Sequence, residues 1–163
     1  MTSAPAIPEL AVVEPQTTAV IRGVVPATRA ELSRFFDRAF RALPAAIIAQ
    51  SVPMTGPAFS FHRRPPAETM DLEVGFPTGR PISPTGEIVP SSLPGGRVAR
   101  VTHHGGYEGL PAAWDRLRQW IEANGYRAGS MMWEFYVDEP SPAVNPDDLR
   151  TELVWPLVAG WVG

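Results

Sequence analysis

The stretch Met131–Val137, which reads MMWEFYV, decides how the rest of the chain is interpreted. Its unbroken aromatic and apolar residues predict a β-strand, and one carboxylate, Glu134, stands at its centre. Side chains alternate across a strand, so Met132, Glu134 and Tyr136 share one face, while the other four residues form an apolar face suited to a core. A buried carboxylate needs a partner, a proton or a cavity. The residues leave two interpretations open: a structural pair with a neighbouring Arg, or the acidic floor of an aromatic pocket.

Composition narrows the class of protein. The 163 residues suit one domain, and 44% hydrophobic with 19% charged residues indicates a globular chain. The net charge of −3 comes without a basic run, so nucleic acid is not expected as a direct partner. All 14 basic residues are Arg and there is no Cys, which excludes lysine Schiff-base chemistry and thiolate or zinc-thiolate sites.

The N-terminal sequence does not predict a signal peptide. The start, MTSAPAIP, lacks the basic and apolar regions of a signal peptide, and no apolar run reaches transmembrane length. We therefore expect a cytoplasmic protein that does not act at a membrane. Residues 1–8 are predicted to form a flexible tail.

Two amphipathic helices and several strands are predicted. Thr28 and Glu31 have the spacing of a capping box and open a helix whose apolar stripe ends at Pro44. A second stripe runs over Leu110–Ile121 and ends at a helix-stop signal, Asn-Gly. The predicted strands cover residues 10–13, 18–25, 57–62, 70–76, 97–104, 131–137 and 150–155. Residues 78–96 hold four Pro and four Gly and are predicted to be the longest loop.

The two halves of the sequence resemble each other. A shift of 114 − 36 = 78 residues places Phe36–Arg38 on Trp114–Arg116 and also aligns the apolar helix positions. One residue further on, Glu73–Pro77 falls on Glu152–Pro156. A register that persists through several elements indicates an internal duplication of a β-α-β-β unit.

From this repeat we predict one α+β domain over residues 1–163, built of repeats at about 10–77 and 97–156. Units this small must share a core, which favours one antiparallel sheet with both helices on one side. We expect a ligand cleft on the other side of the sheet, near the pseudo-twofold axis, with Glu134 in it.

Two motifs carry a resemblance to a known family. His103–Tyr107 (HHGGY), followed by Leu110 and Trp114, resembles the H-x-G-x-Y turn and helix of the GyrI-like small-molecule-binding family. Trp133–Tyr136, followed by Asp138–Pro140, resembles the family's W-E-x-Y strand. The resemblance extends from about residue 10 to 156 and includes 71–77, 93–96 and 150–153. It implies a duplicated SHS2-type module, the effector-binding domain of AraC-type and MerR-type multidrug regulators, here as a stand-alone member without a helix-turn-helix.

The resemblance also implies a ligand and a site. In the family the strand Glu meets cationic aromatic drugs at the pocket floor, and that residue is Glu134 here. Tyr136 shares its face, and Tyr107 matches the family's turn tyrosine. The expected ligand is a lipophilic aromatic molecule, often a cation, which aromatic faces attract. The candidate ligand contacts are Glu134, Tyr136, Tyr107, Met132, Phe59, Phe61 and Trp155, of which the last three could equally belong to the core.

Two other functions stay open at this point. Some relatives in the family are hydrolases of electrophilic cyclopropane-type DNA-alkylating natural products, and for that reaction Glu134 would be a general base and Tyr107 or Tyr136 a proton donor. A protein partner, either a regulator or gyrase, is the third possibility.

Metal and cofactor sites are not expected. His103 and His104 are adjacent, so on a strand they point to opposite faces, and His62 is far away in sequence. Repeat-equivalent Glu73 and Glu152 favour a structural role, with pairing to Arg22 or Arg100.

Overall fold

The computed structural model describes residues 6–138 and 142–158. Most of the predicted elements are present within these ranges. The strands are β1 (Glu9–Val13), β2 (Gln16–Pro26), β3 (Phe59–His62), β4 (Thr69–Pro77), β5 (Ile88–Leu93), β6 (Gly96–His104), β7 (Met132–Tyr136) and β8 (Arg150–Pro156); the α-helices are α1 (Arg29–Ala49) and α2 (Leu110–Ala123).

The described strands form one antiparallel sheet in the order β1-β6-β8-β7-β3-β4-β2-β5. The prediction of an α+β fold with an antiparallel sheet and two helices is confirmed. The two β-α-β-β segments have the same internal strand order, β3-β4-β2 and β7-β8-β6, and they meet at β3 and β7. Of the predicted tail over residues 1–8, residues 1–5 lie outside the described part of the chain.

The strand registers refine the offset between the halves. Thr18 pairs with Pro77, and Val98 pairs with Pro156. If Pro77 is equivalent to Pro156, as the sequence match indicates, then Thr18 is equivalent to Val98. The offset for β2 and β6 is then 80 (98 − 18), two residues more than the shift of 78 that aligns the helices.

The predicted loop over residues 78–96 is wrong in part, because it contains β5. Pro90 lies inside that strand, which is possible because β5 is at the edge of the sheet and pairs on one side only. The ladder between β1 and β6 has the same register as that between β2 and β5: Val13 pairs with Gly96 and Gln16 with Leu93. These two ladders are therefore in line with each other, and they join the two halves in addition to the pairing of β3 with β7.

The first helix begins as predicted and ends later. Thr28 is the N-cap, and its side-chain oxygen accepts a hydrogen bond from the backbone N–H of Glu31 at 3.3 Å. The predicted end at Pro44 is wrong, since α1 continues to Ala49. Ile47, beyond the proline, is fully buried in the core, and this burial offsets the backbone hydrogen bond that a proline cannot donate. No helix in the described ranges has the length and apolarity needed to cross a membrane.

Both helices pack on one face of the sheet, as predicted. The buried residues of α1 contact β2 and β4, and those of α2 contact β6, β7 and β8. The opposite face carries a separate aromatic cluster that includes Trp133 and Phe135. Glu134 alternates with these two residues, so it lies on the helix side. The expectation that Glu134 faces a cleft on the side away from the helices is therefore wrong.

Glu73 has the structural role that its repeat position favours. Its side chain is buried on the face opposite the helices, where it accepts hydrogen bonds from Arg22 Nε at 3.1 Å and Ser91 Oγ at 2.6 Å. Arg63 approaches the same carboxylate at 3.7 Å. The predicted pair of Glu73 with Arg22 is confirmed.

Candidate functional site

A row of neighbouring residues crosses the helix side of the sheet at the level of Glu134. Successive pairings connect one residue from each of six strands: Ile21, Val74, Ser60, Glu134, Leu153 and Val101. The four outer residues are apolar, whereas the central pair, Ser60 and Glu134, is polar and buried. A carboxylate and a hydroxyl thus lie where the two halves of the sheet meet. On one side of them are the strands that α1 covers, and on the other side are the strands that α2 covers.

Glu134 is a buried carboxylate with no positively charged partner among the described residues. The residue is 7% exposed, and its Oε1 accepts a hydrogen bond from Trp114 Nε1 of α2 at 3.1 Å. None of the ion pairs between described residues includes Glu134. Burial raises the pKa of Glu134, and the hydrogen bonds from Trp114 and Tyr136 oppose that rise. The structural pair with an Arg is therefore not found in the described part of the chain.

Tyr136 connects Ser60 and Glu134 to a cluster of aromatic rings that come from both halves of the chain. Its hydroxyl is 2.8 Å from Ser60 Oγ, and its ring makes edge contacts with Phe40 of α1 and Tyr107, at centroid distances of 6.3 and 5.7 Å. Burial, followed by the charge of Glu134, raises the pKa of both Tyr136 and Tyr107. Both phenols are thus neutral donors at ordinary pH. Tyr107 is 37% exposed and forms the solvent side of this group.

We name this region, made up of Ser60, Glu134 and Tyr136 on the sheet with Phe40, Tyr107 and Trp114 above them, the interhelical site. Trp155 and Met132 flank it on the same face. Trp155 packs edge-on against Trp114 at 5.4 Å and donates its indole N–H to the carbonyl of Gly129 at 2.8 Å. Met132 is buried in the α2 cluster. Of the predicted site residues, five therefore lie on the helix side: Glu134, Tyr136, Tyr107, Met132 and Trp155.

Phe59 and Phe61 do not belong to this site, and their inclusion among the predicted ligand contacts is corrected here. Phe59 pairs with Phe135, and Phe61 pairs with Trp133, both on the face away from the helices. The rings meet edge-on at 6.0 and 5.7 Å in a closed cluster. The reason is the alternation of β3, which points Ser60 toward Glu134 and its two neighbours the opposite way.

Sequence reasoning missed three residues of the interhelical site: Ser60, Phe40 and Trp114. The two aromatic residues were predicted as helix core because each fits an apolar stripe. Ser60 and His62 alternate with Phe59 and Phe61, so the sequence of β3 already indicated one polar and one aromatic face. Only the register of β3 against β7 shows which alternate set faces Glu134.

A separate groove lies beside α2. It has a volume of about 690 Å³ and is bordered by the end of β6, the outer flank of α2 and the residues that precede β1. None of the predicted site residues lines it. Among the described residues, no group of three or more His, Cys, Asp or Glu side chains is arranged to hold a metal ion.

This arrangement of a buried acid among aromatic rings is accompanied by a clear family match. The model of the GyrI-like small molecule binding domain matches residues 8–158, so the chain belongs to that family. The family predicted from the two sequence motifs is confirmed. No curated protein matches the chain.

Solved structures share the fold. The EcmrR C-terminal domain superposes with a TM-score of 0.80 at 19% identity, over 94% of this chain and 98% of that one. SAV2435, solved with bound tetraphenylphosphonium, gives 0.68 at 13% identity over 94% of each chain. A hydrolase from Listeria innocua gives 0.66 at 15% identity, over 95% and 94%. At these identities the likeness establishes the fold and leaves ligand and activity to the site itself.

Proposed function

We propose that this small-molecule-binding domain takes up lipophilic aromatic cations at the interhelical site, with Glu134 as the counter-charge. The observation that carries the proposal is a carboxylate that is 7% exposed, accepts a hydrogen bond from Trp114, and has no ion-pair partner among the described residues. A desolvated negative charge without a partner is costly in a folded protein. A bound cation removes that cost.

The aromatic side chains supply the rest of the affinity. Phe40 and Trp114 come from the two helices, and Tyr107 and Tyr136 lie between them. Their ring faces attract cations and planar rings alike, so they suit ligands of varied shape. The rings contact one another in the free protein, so a ligand must separate them. We propose that Tyr107, which is 37% exposed, turns outward when the ligand enters.

The relatives give limited support in the same direction. Tetraphenylphosphonium, bound by SAV2435, is itself a lipophilic aromatic cation. EcmrR contributes a domain of the same fold at its C-terminus. We extend this ligand class to the present chain because Glu134 and the surrounding rings have the chemistry such a cation requires.

The test is a titration with matched ligands. Tryptophan fluorescence should show saturable, micromolar binding of tetraphenylphosphonium or a rhodamine-type dye, and weak binding of the neutral triphenylphosphine oxide. Phe40→Leu should weaken cation binding, because Phe40 contacts Tyr136 in the site. Phe35→Leu is the matched control, since Phe35 is buried in the α1 core on the same helix. Absence of saturable binding across a varied cation panel would remove the proposal.

Hydrolysis is a second candidate, and a chain of polar groups favours it. Ser60 Oγ lies 2.8 Å from Tyr136 Oη, and Tyr136 is next to Glu134. Glu134 takes a proton from the water that attacks a cyclopropane-type electrophile. The attacked ring bond breaks, and Tyr136 or Tyr107 protonates the atom that keeps its electron pair. Product analysis separates the two functions: binding without turnover supports a binding protein, and ring-opened product supports the hydrolase.

A regulator or gyrase as partner and a cytoplasmic location remain predictions from sequence.

A further inference from the structure

His62 is a buried polar residue that nothing above explains. It is the last residue of β3 and is 9% exposed, and its Nδ1 has no hydrogen-bond partner among the described residues. In the sheet it stands between Leu72 and Met132. A buried nitrogen without a partner destabilises the fold, so an unpaired one in a native structure needs a reason.

The position of His62 supplies that reason. His62 lies two residues along β3 from Ser60, the direct partner of Glu134, so all three side chains project from the helix side of the sheet. A strand rises about 3.3 Å per residue and paired residues are about 5 Å apart, which puts the backbones of His62 and Glu134 about 8 Å apart on the diagonal. Tyr136 lies in the opposite direction along the strands from Glu134. The two central strands therefore carry polar groups on both sides of the acid.

The chemistry of His62 fits a ligand contact. Burial lowers its pKa to about 4, so the imidazole is neutral at ordinary pH and has one donor and one acceptor nitrogen. A hydroxyl group can donate or accept, so it satisfies Nδ1 in either tautomer. A purely apolar group satisfies it in neither.

We propose that His62 is a second polar anchor of the interhelical site, which selects aromatic cations that carry a hydroxyl group several ångströms from their positive charge. This inference rests on the proposed function and adds a chemical feature of the ligand to it. Glu134 holds the charge, and His62 distinguishes among cations of the same size.

The test uses two cations that differ only in a hydroxyl group, which replaces a methyl group. (4-Hydroxymethylphenyl)triphenylphosphonium and (4-ethylphenyl)triphenylphosphonium have the same shape and charge, and only the first has a hydroxyl. The wild-type protein should bind the hydroxylated cation about fivefold more tightly, the size of effect one hydrogen bond typically gives. His62→Phe should bind both equally. His104→Gln, at an exposed histidine, should keep the preference.

A spectroscopic readout on the wild-type protein guards against a variant that fails to fold. In ¹⁵N-histidine NMR, the Nδ1 resonance of His62 should shift with the hydroxymethyl compound and stay unchanged with the ethyl compound. Equal wild-type affinity for the two cations, or a preference that survives in His62→Phe, would overturn the inference while leaving the proposed function standing. Failure of the wild-type protein to bind either cation would overturn both.

Discussion

His62 should make the fold sensitive to acid. Its pKa in the folded protein is about 4, against an ordinary value of 6.5, because burial disfavours the charged imidazolium. The unfolded chain therefore binds a proton between pH 6.5 and 4 that the folded chain does not. The stability that this residue contributes is fully present above pH 6.5 and falls as the pH drops toward 4. With about 1.4 kcal/mol for each pKa unit, the loss approaches about 3 kcal/mol.

The replacement His62→Phe isolates this contribution. Glu134 acts in the opposite direction, because burial raises its pKa in the folded protein. As the pH falls toward the ordinary pKa of a glutamate, the folded chain binds a proton that the unfolded chain does not, and its stability increases. That contribution is present in both proteins and cancels in the comparison. Urea unfolding at pH 7 and pH 4.5 should show that wild-type protein loses about 2 kcal/mol more than His62→Phe over this interval.

A control and a clear contradiction complete the experiment. His104→Gln removes an exposed histidine and should lose stability with pH as the wild type does. The same pH dependence in His62→Phe and wild-type protein would refute the assignment of a buried, neutral imidazole to His62.

Three further changes test other parts of the structure. Glu73→Ala should lower the free energy of unfolding by about 2 kcal/mol in urea titrations, because it removes hydrogen bonds to a buried carboxylate. Gly75→Ala should cost about 3 kcal/mol or more, or prevent folding, since an added Cβ overlaps a backbone carbonyl oxygen of β2. Trp114→Phe removes a hydrogen bond that lowers the pKa of Glu134, so that pKa should rise. Cation affinity, measured by fluorescence titration across pH, should then begin to fall at a higher pH than in the wild type.

Much of the fold was predictable because its signals are local. The capping spacing of Thr28 and Glu31, the helical stripes and the alternation around Glu134 each depend on residues close in sequence. The prediction that α1 ends at Pro44 was wrong because the burial of Ile47, which stabilises the helix beyond the proline, depends on tertiary packing. β5 was missed because its proline is acceptable only at the sheet edge, a property of the assembled sheet.

The candidate site was predictable only in part, for a similar reason. Glu134 stood out as the one charge in an apolar strand, and the family motif added Tyr107. Which face of the sheet the helices cover, and which alternate residues of β3 join Glu134, depend on pairing between distant strands. For that reason Phe59 and Phe61 were misassigned, and the donor to Glu134, Trp114, was missed.

The most direct test of the proposed function is the affinity of Glu134→Gln for a cation and for a neutral molecule of similar shape. Glutamine keeps the size and can still accept the Trp114 hydrogen bond, but it removes the charge. Leaving a buried cation unpaired typically costs roughly 2–5 kcal/mol, so affinity for tetraphenylphosphonium should fall at least about tenfold. Affinity for triphenylphosphine oxide should change far less. Glu122→Gln, at an exposed position of α2, is the matched control and should leave both affinities unchanged.

The melting temperature of the free variant completes the measurement. It should stay the same or rise at neutral pH, because a costly buried charge is gone. A selective loss of cation binding with an undiminished melting temperature is the result that the account predicts. Equal losses for the cation and the neutral molecule, or a lowered melting temperature with no selective effect, would contradict it.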